Sequence, residues 1–326
     1  MFLLDSKFNY VVYNSVMELA NLSLEAAELV RVAKKEDAGT IMRLLQRAAY
    51  AHYHVDWRLP ADWIGHEGFV VHLEEEGQRR RWGSWGNGGL AGCLAVAADP
   101  PPGAWVRVAA IATRERPELV LAAMLAAVLP GLRKTAVSQL AWLAVEEWPD
   151  SWLAPLGFYR ISQLETYTKR QMNIPLLSPP LHPLTFRPAQ LDDLATLAEI
   201  EAAAFAPLWR HSGQALTQAF SQAFSFDVVE QDGGVIGFQL STRSGYNGAH
   251  LARMTIRPEW QQQGIGSALL IHTLQQYQTH GIRHVSLNTQ VENIASRRLY
   301  KKFGFQPNGE RLPIWCLDIG ETKRDS

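Results

Sequence analysis

The chain reads as an α+β (mixed α/β) protein built from two similar halves. Strands and helices follow the same order in both halves, a proline-rich stretch lies between them, and two short motifs recur. The first pair is Leu29-Val-Arg-Val-Ala33 and Leu184-Thr-Phe-Arg-Pro188, each leading into a helix. The second is Trp152-Leu-Ala-Pro-Leu-Gly-Phe-Tyr159 and Leu299-Tyr-Lys-Lys-Phe-Gly-Phe305. Two features in the same order, roughly 150 residues apart each time, point to a duplicated unit. Pro175, Pro179, Pro180 and Pro183 mark the connector, because proline fixes φ and lacks an amide donor. The expected organisation is an N-terminal extension (1–26), a first domain (27–171), a linker (172–183) and a second domain (184–326).

In the second half, a strand at Leu184–Arg187 precedes helices at Leu191–Ala204 and Gly213–Ala223. Strands at Phe226–Gln231 and Val235–Thr242 flank a hairpin turn, Asp232-Gly-Gly234. A strand at His250–Ile256 leads to a helix, Ser267–Thr279, ended by Gly281. A strand at His284–Thr289, a helix at Asn293–Phe303 and a closing strand at Pro313–Asp318 complete the order. The first half predicts a helix at Lys35–Ala48 and strands at Phe69–Leu73, Leu90–Ala97, Val106–Thr113 and Leu140–Val145. Its helix at Pro117–Leu129 is the most apolar stretch of the chain. It stops at Pro130-Gly131, short of the ~20 residues that span a membrane, and so reads as a buried helix. The glycine-rich loop Arg79–Gly89 reads as a solvated hairpin tip.

Of 326 residues, 47% are hydrophobic and 19% charged, which suits a folded protein. A net charge of -1 excludes a broadly basic nucleic-acid binder. Cys93 and Cys316 carry neither metal spacing nor a disulfide framework, and read as reduced buried thiols of a cytoplasmic protein. Asp5 and Lys7 interrupt Met1–Ser15, so that stretch does not read as a signal peptide; Met17 is an alternative start. No membrane association is expected.

Chemistry concentrates in Met254-Thr-Ile-Arg-Pro-Glu-Trp-Gln-Gln-Gln-Gly-Ile-Gly-Ser267, which runs into a helix with Leu270, Ile271, Leu274 and Tyr277 on its apolar face. Gly264 and Gly266 remove side chains where the loop turns into the helix. Amides at a helix start are a ready site for a pyrophosphate. The segment is neither a Walker A loop nor the dinucleotide fingerprint. Asn293 and Tyr300 lie two helical turns apart, with Ser296 between them on the same face. Such a polar stripe can line a cofactor arm; the alternative is an N-cap Asn, a core Tyr and Gly304 as helix C-cap.

Together these segments resemble the GCN5-related N-acetyltransferase (GNAT) superfamily. Gln261-Gln-Gln-Gly-Ile-Gly266 matches its Arg/Gln-x-x-Gly-x-Gly/Ala motif, and Asn293-x-Ala-x-x-x-Leu-Tyr-x-x-x-Gly-Phe305 matches the helix that follows. The resemblance covers residues 184–318 and is faint in the first half. It implies two tandem domains, each a central, mostly antiparallel twisted sheet flanked by helices. It implies acetyl-CoA as co-substrate and no metal. The backbone of Met254, Thr255 and Ile256 would pair with the pantetheine arm. The loop from Gln261, Gln262, Gln263, Gly264 and Ile265 to Gly266 and Ser267 would hold the pyrophosphate. Asn293, with Ser296 beside it, would bond the arm, and Tyr300 would protonate the departing thiolate.

The base is less defined. Asn288 stands where some relatives carry a glutamate. His250 shares strand parity with Met254 and Ile256 and is a candidate proton relay, with Glu201, Glu230 or a bound water as alternatives. Trp209 and Arg210 are candidate acceptor contacts, by stacking and by carboxylate binding. The first half has Thr113-Arg-Glu-Arg-Pro-Glu118 in place of the phosphate loop, and no Asn–Tyr pair before Gly157-Phe158. It reads as a degenerate copy. The expected activity is N-acetylation of a small-molecule or peptide primary amine. The alternatives are a non-catalytic acyl-CoA sensor and a tandem thiol-cofactor (mycothiol-type) synthase.

Overall fold

The computed structural model describes residues 28–55, 57–74, 89–177 and 182–319. The N-terminal extension, residues 79–88 of the glycine-rich loop, and Pro179 and Pro180 of the connector lie outside the described residues. The chain forms two compact units. One is the continuous stretch Ser162–Pro313; the other joins the residues up to Ile161 with those from Ile314 onward. The division therefore falls at 161/162 and 313/314, not at the proline-rich connector.

In the first unit, β1 (Val30–Val32) leads through a 3-10 turn into α1 (Ala38–Arg47). Then come β2 (Tyr50–Tyr53), β3 (Phe69–Leu73), β4 (Leu90–Ala97), β5 (Gly103–Ile111), α2 (Pro117–Arg133), β6 (Gln139–Leu143) and the one-turn α3 (Asp150–Leu153). The strands order as β1-β3-β4-β5-β6. Leu121, Met124, Leu125 and Val128 of α2 pack one face of the sheet, and Ile41, Leu44 and Leu45 of α1 pack the other. The helix runs past Pro130 to Arg133. Proline removes only one donor, and here it sits exposed in the last turn, where that loss is tolerated.

The second unit opens with β7 (Tyr159–Lys169), β8 (Thr185–Pro188), α4 (Leu194–Ala204) and α5 (Gly213–Gln222). It continues with β9 (Ser225–Gln231), β10 (Gly234–Ser244), β11 (Gly248–Ile256), α6 (Ile265–Thr279), β12 (His284–Gln290) and α7 (Ile294–Lys302), and β13 (Gln306–Asp318) crosses from it back into the first unit. Its order is β8-β9-β10-β11-β12-β7, antiparallel throughout except for the parallel β11–β12 pair. Asp232 (φ 51°) and Gly233 (φ 80°) make the expected hairpin turn.

The sequence repeat is a repeat of bonds. Arg31 grips Asp37 through two hydrogen bonds of 2.7 and 2.8 Å, and Asp37 also accepts from the Lys34 amide at 2.8 Å. Arg187 grips Asp193 at 2.7 and 2.9 Å, and Asp193 accepts from the Gln190 amide at 2.7 Å. At the other end, the Phe158 amide donates to Leu153 O and the Phe305 amide to Tyr300 O, both at 3.0 Å, across Gly157 and Gly304 in the left-handed region. Leu153 thus stands where the second copy has Tyr300.

The strands that follow these Gly-Phe pairs are exchanged. Leu164–Lys169 of β7 pair with β12 of the second unit, whereas Ile314–Asp318 of β13 pair with β6 of the first. The closing strand expected at Pro313–Asp318 exists, but it completes the sheet of the first unit.

Candidate active site

The site of the second unit grows from a fork in its sheet. β11 and β12 pair in parallel only from Gly248↔His284 to Leu251↔Leu287. Beyond that point β11 keeps only β10 and β12 keeps only β7, so the two strands diverge. A β-bulge at the same level leaves Ala252 without a partner on β10, between Leu251↔Ser241 and Arg253↔Leu240. Residues from Ala252 to Ile256 therefore present one unpaired backbone edge, an invitation to an added strand or an extended ligand.

The bulge also reverses side-chain parity. Ala249, Leu251 and Met254 all pack in the cluster under α6 and α7. His250 therefore shares a face with Arg253 and Thr255, not with Met254 and Ile256 as strict alternation predicts. Its Nδ1 lies 2.9 Å from Ser286 Oγ, and burial pulls its pKa down, so neutral imidazole is favoured there.

β11 runs through the turn Pro258–Trp260 to the start of α6. Gln261 Nε2 donates to Ile256 O (2.9 Å) and Gln263 Nε2 to Glu259 O (3.0 Å), which fixes the loop from within. Gln262 (φ 62°) and Gly264 (φ 83°) adopt the left-handed conformation. No side chain caps the helix. Its first bond runs from the Ala268 amide to Gly264 O, so the amides of Ile265, Gly266 and Ser267 precede the ladder. A Cβ on Gly266 would meet only Leu299 Cδ2, at 3.8 Å. Uncapped amides with positive helix-dipole character suit an anion.

α7 closes the other side of the fork. Asn293 caps it, its Oδ1 accepting from the Ser296 amide at 3.1 Å. This bond uses the oxygen and leaves the Asn293 amide nitrogen as a donor. The Tyr300 ring is buried against Phe305, centroids 5.8 Å apart. Burial pushes its pKa up to about 12, opposed in part by the charge of Arg253. Lys169 of β7 reaches the end of α7 and donates to Phe303 O at 2.6 Å. The fold thus shows the cap-and-core arrangement of the Asn–Tyr stripe, with a donor left on Asn293 and a phenol on Tyr300 that stays protonated.

Sequence reasoning passed over Arg253, which organises the opposite wall. Its guanidinium bonds the buried carboxylate of Glu201 on α4, reaches Trp209 O, and stacks over the Phe205 ring at 3.7 Å. Thr255 Oγ1 donates to Glu201 at 3.0 Å, and Glu201 also accepts from the His211 amide at 3.0 Å. The signal was a charged residue in the middle of an apolar strand. Burial alone would raise the pKa of Glu201, but Arg253 and these donors outweigh it and hold the carboxyl below its ordinary value. A carboxylate so saturated is a poor base. Glu230 on β9 accepts from Arg187 of β8, Nε at 2.9 Å. Arg210 turns back on its own loop, Nε donating to Phe205 O at 2.9 Å. Trp209 ends the short turn from Pro207 that Arg253 pins.

In the first unit the corresponding fork is filled. β5 and β6 pair in parallel only from Gly103↔Gln139 to Trp105↔Ala141. From Val108 to Ile111, β4 holds one edge of β5 and β2 takes the other. β2 is held from its far side by the segment after β6: Trp148 Nε1 donates to Ala51 O at 3.0 Å, and His52 Nδ1 lies 2.8 Å from Glu146. The start of α2 carries Arg116 in the left-handed region (φ 50°) and then Pro117, which has no amide.

A divergent parallel strand pair, a bulge at its apex and an uncapped helix start beyond it make up the candidate site. Residues 194–305 match the acetyltransferase (GNAT) family model. The match lies within the second unit, which therefore carries a GNAT-family domain. A Bacillus subtilis (strain 168) protein bearing the provisional name of ribosomal protein bS18-alanine N-acetyltransferase is 29% identical over 135 residues, 41% of this chain and 88% of that one. The ribosomal protein bS18-alanine N-acetyltransferase of Escherichia coli (strain K12) is 28% identical over 121 residues, 37% of this chain and 80% of that one. A tandem GNAT protein from the clavulanic acid biosynthesis pathway superposes with a TM-score of 0.57 at 16% identity, over 90% of this chain and all of that one, a likeness of fold.

Proposed function

We propose that the second unit transfers an acetyl group from acetyl-CoA to a primary amine, of a small molecule or a peptide N-terminus, by direct attack. The observation that carries this reading is the unpaired edge of β11 running into the uncapped start of α6. An extended arm laid against Met254–Ile256 would end with its pyrophosphate at the amides of Ile265–Ser267. The residues fit such a substrate: the amides lack acceptors, and Gly266 leaves the approach open. The peptide end of the acceptor range is favoured by the alanine N-acetyltransferase names of the two relatives.

In the reaction, the amine nitrogen bonds the acetyl carbon and the carbon–sulfur bond breaks. A backbone amide at the Ala252 bulge would stabilise the oxyanion. The proton lost by nitrogen passes to water, with His250 and Ser286 as a relay at the fork. Tyr300, still protonated at neutral pH, would supply the proton that the thiolate takes and regain one from water after the thiol leaves. The amine must arrive neutral, so turnover should rise with pH towards the pKa of the acceptor.

Incubating the protein with acetyl-CoA and a panel running from ethylamine to an alanine-initiated hexapeptide tests the reading. Acetylated product with stoichiometric free thiol is the expected result; binding without transfer to any member would leave a sensor instead. The filled fork of the first unit supports a single acetyl-CoA site per chain.

A further inference from the structure

Two buried oxygens stand side by side at the fork with no hydrogen-bond partner: Asn288 Oδ1 on β12 and Thr166 Oγ1 on β7. Asn288 and Thr166 are directly opposed in the antiparallel register, so their side chains share one face of the sheet. Thr166 is 7% exposed. Asn288 is the first residue of β12 beyond its last partner on β11. One step back on the same face is Ser286, bonded to His250. This is the face opposite the Tyr300 cluster, because Leu287 and Tyr167 point the other way. Buried polar atoms in native proteins are nearly always paired, with protein, water or ligand, so two adjacent acceptors without a protein partner can receive one from outside.

The chemistry of that partner follows from the atoms. An amide oxygen and a hydroxyl oxygen both accept N–H bonds, and neither takes a proton at neutral pH. Two adjacent acceptors match a group with two N–H bonds. We propose that Asn288 Oδ1 and Thr166 Oγ1 each accept one N–H of the acceptor's primary amino group, turning its lone pair towards the fork and selecting primary over secondary amines. This rests on the acetyltransferase reading above. Both residues are positioning contacts, not bases: the N–H proton released on attack goes to water, while the nitrogen–carbon bond replaces the carbon–sulfur bond.

The test uses the full chain, acetyl-CoA, and the same panel with each amine paired to its N-methyl form. For the amine that wild-type protein acetylates, Asn288→Leu should raise the amine KM at least about tenfold, the scale of a lost bond to an otherwise unpaired group. The KM for acetyl-CoA should stay within about twofold, since no contact to it is removed. Thr166→Val should act in the same direction and Thr166→Ser should restore it. Asn288→Asp, which keeps an oxygen acceptor, should leave amine KM within about threefold. If Asn288→Leu fails to fold, the Thr166 pair and Asn288→Asp decide. Unchanged amine KM in folded variants, or N-methyl amines used as well as primary ones, would overturn the inference while leaving the acetyltransferase reading intact. Wild-type protein that acetylates nothing would overturn both.

Discussion

Arg253 of β11 clasps Glu201 of α4 through Nε, 2.9 Å from Oε1, and through Nη2 on Oε2, while the same guanidinium lies over Phe205 and holds Trp209 O. One ion pair thereby fixes the end of α4, the loop that follows and the central strand. The Glu201 side chain is fully buried and the Arg253 side chain is 15% exposed.

Glu201→Gln should destabilise the second unit by about 3 kcal/mol, the cost of leaving one buried charge of a pair uncompensated. Urea denaturation at neutral pH measures this. The pH dependence has a defined sign. The folded pKa of Glu201 lies below the unfolded value, so its stabilisation is complete above the unfolded carboxylate range and fades as pH falls through the folded pKa. The variant should lose stability less steeply in acid than wild type; parallel acid limbs would show that the pair does not carry this linkage.

Gly266→Glu should abolish acetyl-CoA binding while leaving the melting temperature nearly unchanged. The new Cβ meets only Leu299 Cδ2 at 3.8 Å, so the fold tolerates it, but a carboxylate at the helix start repels a pyrophosphate. Calorimetry on the folded variant checks it, and retained binding would remove the phosphate-loop assignment.

Tyr300→Phe keeps the buried ring against Phe305 and removes only the hydroxyl. Turnover should fall by ~10²–10⁴, the range of a lost general acid, with little change in acetyl-CoA affinity. Because the phenol titrates near 12, wild-type turnover should show no loss of this acid below about that pH. His250→Ala should cost less than about tenfold, since water can replace a relay. Rapid-quench measurement of the chemical step separates the two; an unaltered step in Tyr300→Phe would return that residue to packing alone.

Titration of acetyl-CoA should give one site per chain. In the first unit, β2 already occupies the edge of β5 that an extended arm would use, and Pro117 removes an amide from the start of α2. Two sites of equal affinity would contradict this.

Much of this was legible in the sequence because the signals were local. Gly264 and Gly266 announced a loop-to-helix turn, and Arg31 and Arg187 announced the same turn twice. What escaped was long-range. Nothing in Tyr50-Ala-His-Tyr53 says that it will pair with β5 in place of β6. The parity of His250 failed because a bulge at Ala252 depends on its partner strand and not on its own residue type. Arg253 was visible as an oddity, but its meaning came only with Glu201, which lies on a different element.

The exchange of β7 and β13 sets an order of events during synthesis. The second unit is one uninterrupted run, Ser162–Pro313, and can be completed as soon as that run has left the ribosome. The first unit has to wait with β6 exposed along one edge until Ile314–Asp318 arrive to pair with it. The half that is made first is therefore the half that matures last, and a stop codon anywhere before residue 314 would leave it with an open edge prone to wrong partners.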